Sequence, residues 1–292
     1  RNTGYYCTWK EHFDFAERMH LPMPVHIMTD KVPRSKDNIV FHSVPKNLPL
    51  RSFVRIGDNL YVLSPEACLL MAANKLSVPM LSLLATELSA MYVRDRFAEF
   101  LQHSRKPITT TGRIRNYLES ASNVSGIKKA RRAIRYSHDN SNSPMESVVS
   151  VLLCLPFNSG GYAARRPKLN AKVYLSADGV KYLKRSYCTG DMVWLEEKVI
   201  CEYDSKLTHL SANQHDYDKR RLTALTASGY NVISITPEQL RNRNSMDLLF
   251  RSLRKTLGMR PFEKELEKYR EKRWEVIREV FQYSRELSGS IK

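Results

Sequence analysis

Apolar positions along the chain alternate between strand-like and helical spacing. Short apolar runs at residues 25–28, 38–42, 52–56 and 60–62, joined by Pro-rich connections, predict strands. Ser64-Pro65-Glu66 then reads as a helix start, with Ser as N-cap and Pro in the first helical position. Residues 67–76 and 80–92 follow as two apolar helices. Beyond residue 101 apolar residues thin out, but Ile127, Ala130 and Ile134 keep helical spacing. They predict an amphipathic helix over 126–135 with a basic outer face. The polar stretch 138–143 is the best domain boundary. After it come a helix (145–155), strands at 171–177 and 180–187, and strands at 191–195 and 198–203. Asp178-Gly179 between the first two strands is a two-residue hairpin signal. A helix (217–228) stopped by Gly229 and a buried strand (230–235) close the series. This order predicts an α/β (α+β) domain with a mixed sheet flanked by helices. The tail, 262–287, reads as a long charged helix. Its apolar stripe of Phe262, Leu266, Tyr269, Ile277 and Phe281 either covers the core or mediates dimers.

A chain of 292 residues, 42% of them hydrophobic, accommodates two domains with real cores. The longest apolar stretch, 67–91, is interrupted by Asn74, Lys75, Ser77 and Glu87, so no run reaches the roughly 18 residues of a membrane span. No signal-peptide pattern opens the chain at Arg1. Five scattered cysteines without a CxxC pair point to a reducing cytosol rather than a disulfide framework or structural zinc.

Charge changes the picture more. Lys and Arg number 47 against 30 Asp and Glu, a net charge of +17. From His103 to Tyr136 nine basic residues face a single acid, Glu119. Such an excess fits a polyanionic partner, nucleic acid before membrane. Lys128, Lys129, Arg131, Arg132 and Arg135 on the 126–135 helix are the candidate DNA contacts.

Against that basic background stands one carboxylate cluster. Asp191 opens a strand, and Glu202-Tyr203-Asp204 closes the next, eleven residues on and across a tight turn. Adjacent antiparallel strands would bring Asp191 and Glu202 within a cation's reach, with Asp204 on the face of Glu202. The Tyr203 carbonyl is a further candidate ligand. Two carboxylates and a carbonyl suit a hard cation, Mg²⁺ or Mn²⁺, rather than Zn²⁺. Such a cation neutralises charge and activates water in phosphodiester hydrolysis. The bland alternative is a strand-capping Asp191 with Glu202 and Asp204 as surface residues. Against it, Val199-Ile200-Cys201 ahead of them reads as fully buried.

Asp191, Glu202-Tyr203-Asp204, His209, then Asp218-x-x-Arg221-x-x-x-Leu225-x-x-x-Gly229-Tyr230 together resemble the nuclease-like domains related to the very-short-patch-repair (Vsr) endonuclease. These belong to the PD-(D/E)xK, restriction-endonuclease-like superfamily. The resemblance covers about residues 143–257. It implies a restriction-endonuclease-like core, Mg²⁺-dependent DNA cleavage, Asp191 as first metal ligand and Glu202 as second. Ser143-Pro144-Met145-Glu146 resembles the family's helix start, which makes Glu146 a third candidate. The same four residues also read as a capping box. Asp204 stands where most of the superfamily has Lys, as it often does in this subfamily, and Ser205 replaces the Gly that usually follows. Lys206 is the nearest substitute. By the resemblance, His209 orients water or meets the scissile phosphate; otherwise it is a surface residue. Arg221 either faces phosphates or pairs with Asp218 within its helix.

Residues 53–92 resemble, without a compact motif, the AbiEi-type antitoxin and regulator domain. That resemblance implies a bacterial defence or toxin–antitoxin context and a cognate toxin or defence-system protein as partner. No winged-helix segment precedes it in the sequence. The expected organisation is an AbiEi-like α+β domain at 1–102, a basic connector at 103–142, the nuclease-like domain at 143–257 and the tail helix at 258–292. Three functions compete: a metal-dependent DNA endonuclease, a non-catalytic DNA-binding regulator on a nuclease fold, and a module that neutralises a toxin.

Overall fold

The computed structural model describes residues 9–21, 23–29, 38–58, 60–93, 102–103, 106–204 and 212–287. The first elements are α1 (Trp9–Arg18), the parallel pair β1 (Val25–Thr29) and β2 (Ile39–Ser43), and the antiparallel hairpin β3 (Phe53–Gly57) and β4 (Leu60–Leu63). Helices α2 (Pro65–Ala72) and α3 (Val78–Leu88) follow. Ser64 and Ser77 cap them by accepting the N–H groups of Ala67 and Met80, each with Pro in the first turn. A two-residue pair, β5 (Tyr92–Val93) and β6 (Gln102–His103), leads to α4 (Thr111–Ser120) and α5 (Ile127–Ala133).

The segment expected as a basic connector is a structural part of the first core. Ile114 and Leu118 of α4 and Ala130 and Ala133 of α5 pack against Leu69 and Leu70 of α2 and Leu81 and Ala85 of α3. The opposite face of α3 sends Met80 and Leu83 into the second core. One helix is therefore shared by both halves of the molecule.

The second half begins with α6 (Pro144–Cys154) and continues as β7 (Lys168–Tyr174), α7 (Ala177–Leu183), β8 (Tyr187–Trp194), β9 (Val199–Tyr203), α8 (Ala212–Ala227) and β10 (Asn231–Ile235). The strands form one mixed sheet in the order β10-β9-β8-β7, with β7, β8 and β9 antiparallel and β10 parallel to β9. Then come α9 (Pro237–Arg241), α10 (Arg243–Thr256), α11 (Glu263–Lys268) and α12 (Arg270–Leu287).

Asp178-Gly179 does not make the expected hairpin. It lies inside α7, whose N-cap Ser176 accepts the N–H of Gly179. Gly179 is packed so closely that a Cβ there would sit 2.8 Å from Ser228 Oγ and 3.1 Å from the Ala224 carbonyl of α8. A capped helix docking on a helix outcompetes the turn. Strand β8 consequently starts at Tyr187, and Asp191 lies within it rather than at its start.

Both faces of the sheet are covered. Leu169, Met192, Trp194, Val199, Cys201 and Ile235 meet α6, α10 and α12. Val173, Cys188, Val193 and Ile200 meet Leu183 of α7 and Ala224 and Leu225 of α8. Each fully buried aliphatic side chain contributes about 2 kcal/mol. The tail covers the core: Leu266, Trp274, Val276, Ile277 and Val280 are buried in it.

Candidate functional site

The β8–β9 ladder pairs Trp194 with Val199, Val193 with Ile200 and Met192 with Cys201, and stops there. The next opposed positions are Asp191 and Glu202. In place of a backbone carbonyl, Asp191 Oδ2 accepts the Tyr203 N–H at 2.9 Å. Gly190 makes the close approach possible, because a Cβ there would meet Ile200 Cγ2 and Val193 Cγ2, both at 2.8 Å. On the other side of β8 the ladder flanks Asn170, since Leu169 pairs with Met192 and Ala171 with Gly190. Asn170 has left-handed backbone (φ 47°), a conformation Asn tolerates better than most residues.

Asn170 links the sheet to α6. Its Nδ2 donates to Glu146 Oε2 at 2.7 Å and to the Asn140 carbonyl at 2.9 Å. Glu146 lies in the first turn of α6 and is buried, 7% exposed. Its Oε2 also accepts the Asn142 N–H at 2.9 Å, while Ser143 Oγ accepts the Glu146 N–H at 3.2 Å. Ser143 is thus the expected N-cap, but Glu146 accepts from Asn142 rather than from the Ser143 N–H that would close a capping box, and its charge bears on Asp191.

Glu202 is held from α8. Arg221 Nη1 donates to its Oε2 at 2.8 Å and Nη2 to its Oε1 at 2.5 Å, while Nη2 also meets the Thr189 carbonyl at 2.7 Å. This two-pronged geometry raises the Arg221 pKa above its usual value, chiefly through the bond to Glu202. Arg221 therefore reaches across elements to Glu202, where the sequence offered a phosphate-facing side chain or a pair with Asp218.

The electrostatic centre of the group is Asp191. Burial, then the negative charge of Glu146, raise its carboxyl pKa from 3.8 to about 7. The Tyr203 N–H opposes the rise, Glu202 adds to it and Arg221 subtracts. A carboxyl that titrates near neutrality between two other carboxylates is a group poised to exchange a proton for a cation.

Among the described residues, no three His, Cys, Asp or Glu side chains gather at coordinating distance. Each acid has its own partners instead: Arg221 occupies both oxygens of Glu202, and Glu146 Oε2 takes two N–H donors. The donor chemistry nevertheless suits a hard cation, because every acid of the cluster offers oxygen and Asp191 has lost much of its preference for being ionised. Asp204 lies one residue beyond β9, its N–H donating to the Ile235 carbonyl at 2.9 Å, so it extends the pairing with β10. Lys206 and His209 lie outside the described residues.

The basic helix is less free than its composition implied. Arg131 caps the C-terminal end of α4, donating to the carbonyls of Leu118 (2.8 and 3.1 Å) and Ala121 (2.9 Å). Lys129 Nζ donates to the Leu76 carbonyl at 3.1 Å, and Arg132 Nη2 to Ser159 Oγ at 2.9 Å. Lys128 and Arg135 are exposed. Two site residues had no sequence signal: Asn170, whose strand position hides its left-handed turn, and Gly190, which reads as an ordinary strand glycine.

No protein-family model matches the chain, and comparisons with curated proteins and with solved structures return no match either. No helix among the described residues is long and apolar enough to cross a membrane.

Proposed function

We propose that this protein is a Mg²⁺- or Mn²⁺-dependent DNA endonuclease whose second half is a restriction-endonuclease-like unit related to the Vsr group. One observation carries the reading: Glu146, Asp191 and Glu202, from three elements, converge electrostatically on one end of a mixed sheet, with Asp191 shifted to about 7. The order helix, three antiparallel strands (the short α7 between the first two), helix and parallel strand supports the fold assignment. A net charge of +17 supports a phosphate-rich partner.

In this reading Asp191 and Glu202 hold the cation, with the Tyr203 carbonyl as a further donor. The bound cation supplies charge neutralisation at the phosphate and an activated water. The protein's own residues prepare the site. Tyr203 N–H orients the Asp191 carboxylate. Asn170 fixes Glu146 near it, and that negative charge helps hold the proton on Asp191 until a cation displaces it. Arg221 compensates Glu202 when no cation is present. His209 or Lys206 would serve near the attacking water.

The Arg221–Glu202 pair favours a second reading, a DNA-binding regulator on a nuclease fold, because a guanidinium already fills the place of a cation at Glu202. The two separate in one experiment: cleavage of supercoiled plasmid with Mg²⁺ or Mn²⁺ by the protein and by Asp191→Asn and Glu202→Gln. Metal-dependent nicking lost in both variants supports the enzyme. Duplex binding by folded protein without nicking under either metal supports the regulator. A defence or toxin–antitoxin setting, with a cognate toxin or defence protein as partner, is the context proposed for the first half.

A further inference from the structure

Beside the carboxylate cluster lies a cleft of about 330 Å³ between the turn at His138–Asn140 and the start of β7. Its wall carries Arg166, Lys168, Asn140, Asn170 and His138. Neither Arg166 nor Lys168 is buried, and Arg166 donates to the Ser137 carbonyl from one nitrogen, which leaves further N–H groups to offer. The one acid in the wall, Asp139, is turned to other use. Its two oxygens accept the Thr111 N–H (2.7 Å) and Thr111 Oγ1 (2.6 Å) at the start of α4. Asp139 still acts on Arg166, but two cations against one acid leave the balance at the cleft cationic, and Arg115 lies near enough to add its field.

The second observation is His138. Its side chain is 1% exposed and neither ring nitrogen closes a hydrogen bond of ordinary geometry, although the Ser150 backbone lies near enough to influence it. Burial, reinforced by the Arg166 charge, holds the ring neutral, with a pKa of about 3. A neutral imidazole keeps one N–H donor. Both ring nitrogens are closed off inside the wall, so His138 adds no charge that opposes the two cations and senses the cleft through the neighbouring Arg166. The amide of Asn170 then ties the cleft wall directly to Glu146.

We infer that this cleft is a phosphate-binding subsite, which takes a backbone phosphate of the nucleic-acid strand next to the one at the carboxylates. Two cations and the Asn140 amide match the oxygens of a phosphodiester, and a volume of about 330 Å³ accommodates the phosphate with part of its sugar. The inference rests on the nucleic-acid reading above and adds the place where the strand is held.

The test uses the full chain without added metal, so that cleavage plays no part in it. Binding of a short DNA duplex is followed by fluorescence anisotropy across a sodium chloride series for the protein, Lys168→Gln, Arg166→Gln/Lys168→Gln and a control of equal charge change, Lys264→Gln/Lys268→Gln on α11. Thermal melts check that each variant folds, and the Lys168→Gln variant keeps the Arg166–Ser137 bond intact. The expected result is about tenfold weaker binding for the cleft double variant, a salt slope lower by about one, and a smaller change in the same direction for Lys168→Gln. Equal effects in the cleft and control variants would overturn the subsite while leaving the nucleic-acid reading in place. Absence of duplex binding in the unaltered protein would sink both. Histidine ring ¹⁵N shifts supply a second readout: His138 should respond to the duplex. A response of the same size to inorganic phosphate alone would reassign the cleft to free phosphate and overturn the backbone assignment.

Discussion

At the scale of single residues, Asp191 and Arg221 carry the most consequence. The folded-state pKa of Asp191, about 7, lies above its ordinary 3.8, so the folded protein holds a proton that the unfolded chain has released. The stabilisation tied to that proton is fully present below about pH 4 and is lost as pH rises through about 7. Asp191→Asn keeps an oxygen for the Tyr203 N–H but removes the ionisation. It should stabilise the protein at pH 8 by about 1–2 kcal/mol, allowing for solvent screening, and flatten the pH dependence of the melting temperature between pH 4 and 8. Melting curves across that range for both forms check this; equal slopes would remove Asp191 as the titrating group. Arg221→Gln should tighten Mg²⁺ binding at least about fivefold, since it frees Glu202, whereas Arg221→Lys should change it less. Calorimetric titration of metal into the three forms measures it, and unchanged affinity would mean that Arg221 and the cation do not compete. Asp191 and Glu202 were readable as a pair from their spacing on adjacent strands. The guanidinium on Glu202 was not, because residue 221 reaches it only through the fold of a crossover helix.

Elements show where local signals were sufficient and where they lost. The Ser-Pro starts read at residues 64 and 143 became helix caps, because such a cap is satisfied within one turn and needs no help from the rest of the chain. Asp178-Gly179 had an equally local turn signal, and it lost to the docking of α7 on α8 through Gly179. Arg131 was expected on a DNA-facing surface, but it closes the C-terminal carbonyls of α4. Arg131→Ala should therefore cost about 1–2 kcal/mol of stability and leave the salt slope of duplex binding unchanged, readable from urea unfolding and anisotropy. A reduced slope with unaltered stability would return Arg131 to the interface. Gly190→Ala tests the strand approach. Contacts of 2.8 Å to two branched side chains predict a loss of about 1–3 kcal/mol in the same unfolding assay.

The whole molecule is held by groups that no segment could have announced. Arg273 of α12 is 0% exposed and donates to the Leu266 carbonyl. It also lies 3.6 Å from Asp247 and 4.8 Å above the Tyr162 ring, whose hydroxyl donates to Asp247 at 2.9 Å. In sequence it is one charge among many in a solvated tail. Arg273→Ala leaves Asp247 buried without its cation and should cost about 3–5 kcal/mol in urea unfolding, while Arg278→Ala, exposed on the same helix, should cost little. Period and capping, which depend on neighbours a few residues away, were enough to mark most strands and helices, the mixed sheet and the paired carboxylates on adjacent strands. Distant contacts decided the rest. Through them α4 and α5 joined the first core, α3 came to serve both cores, and the tail closed over the second. Through them too, Arg221 met Glu202 and Asn170 met Glu146. Those outcomes depend on which surfaces meet once the chain is compact, and apolar area and charge have no address in a linear sequence until packing supplies one.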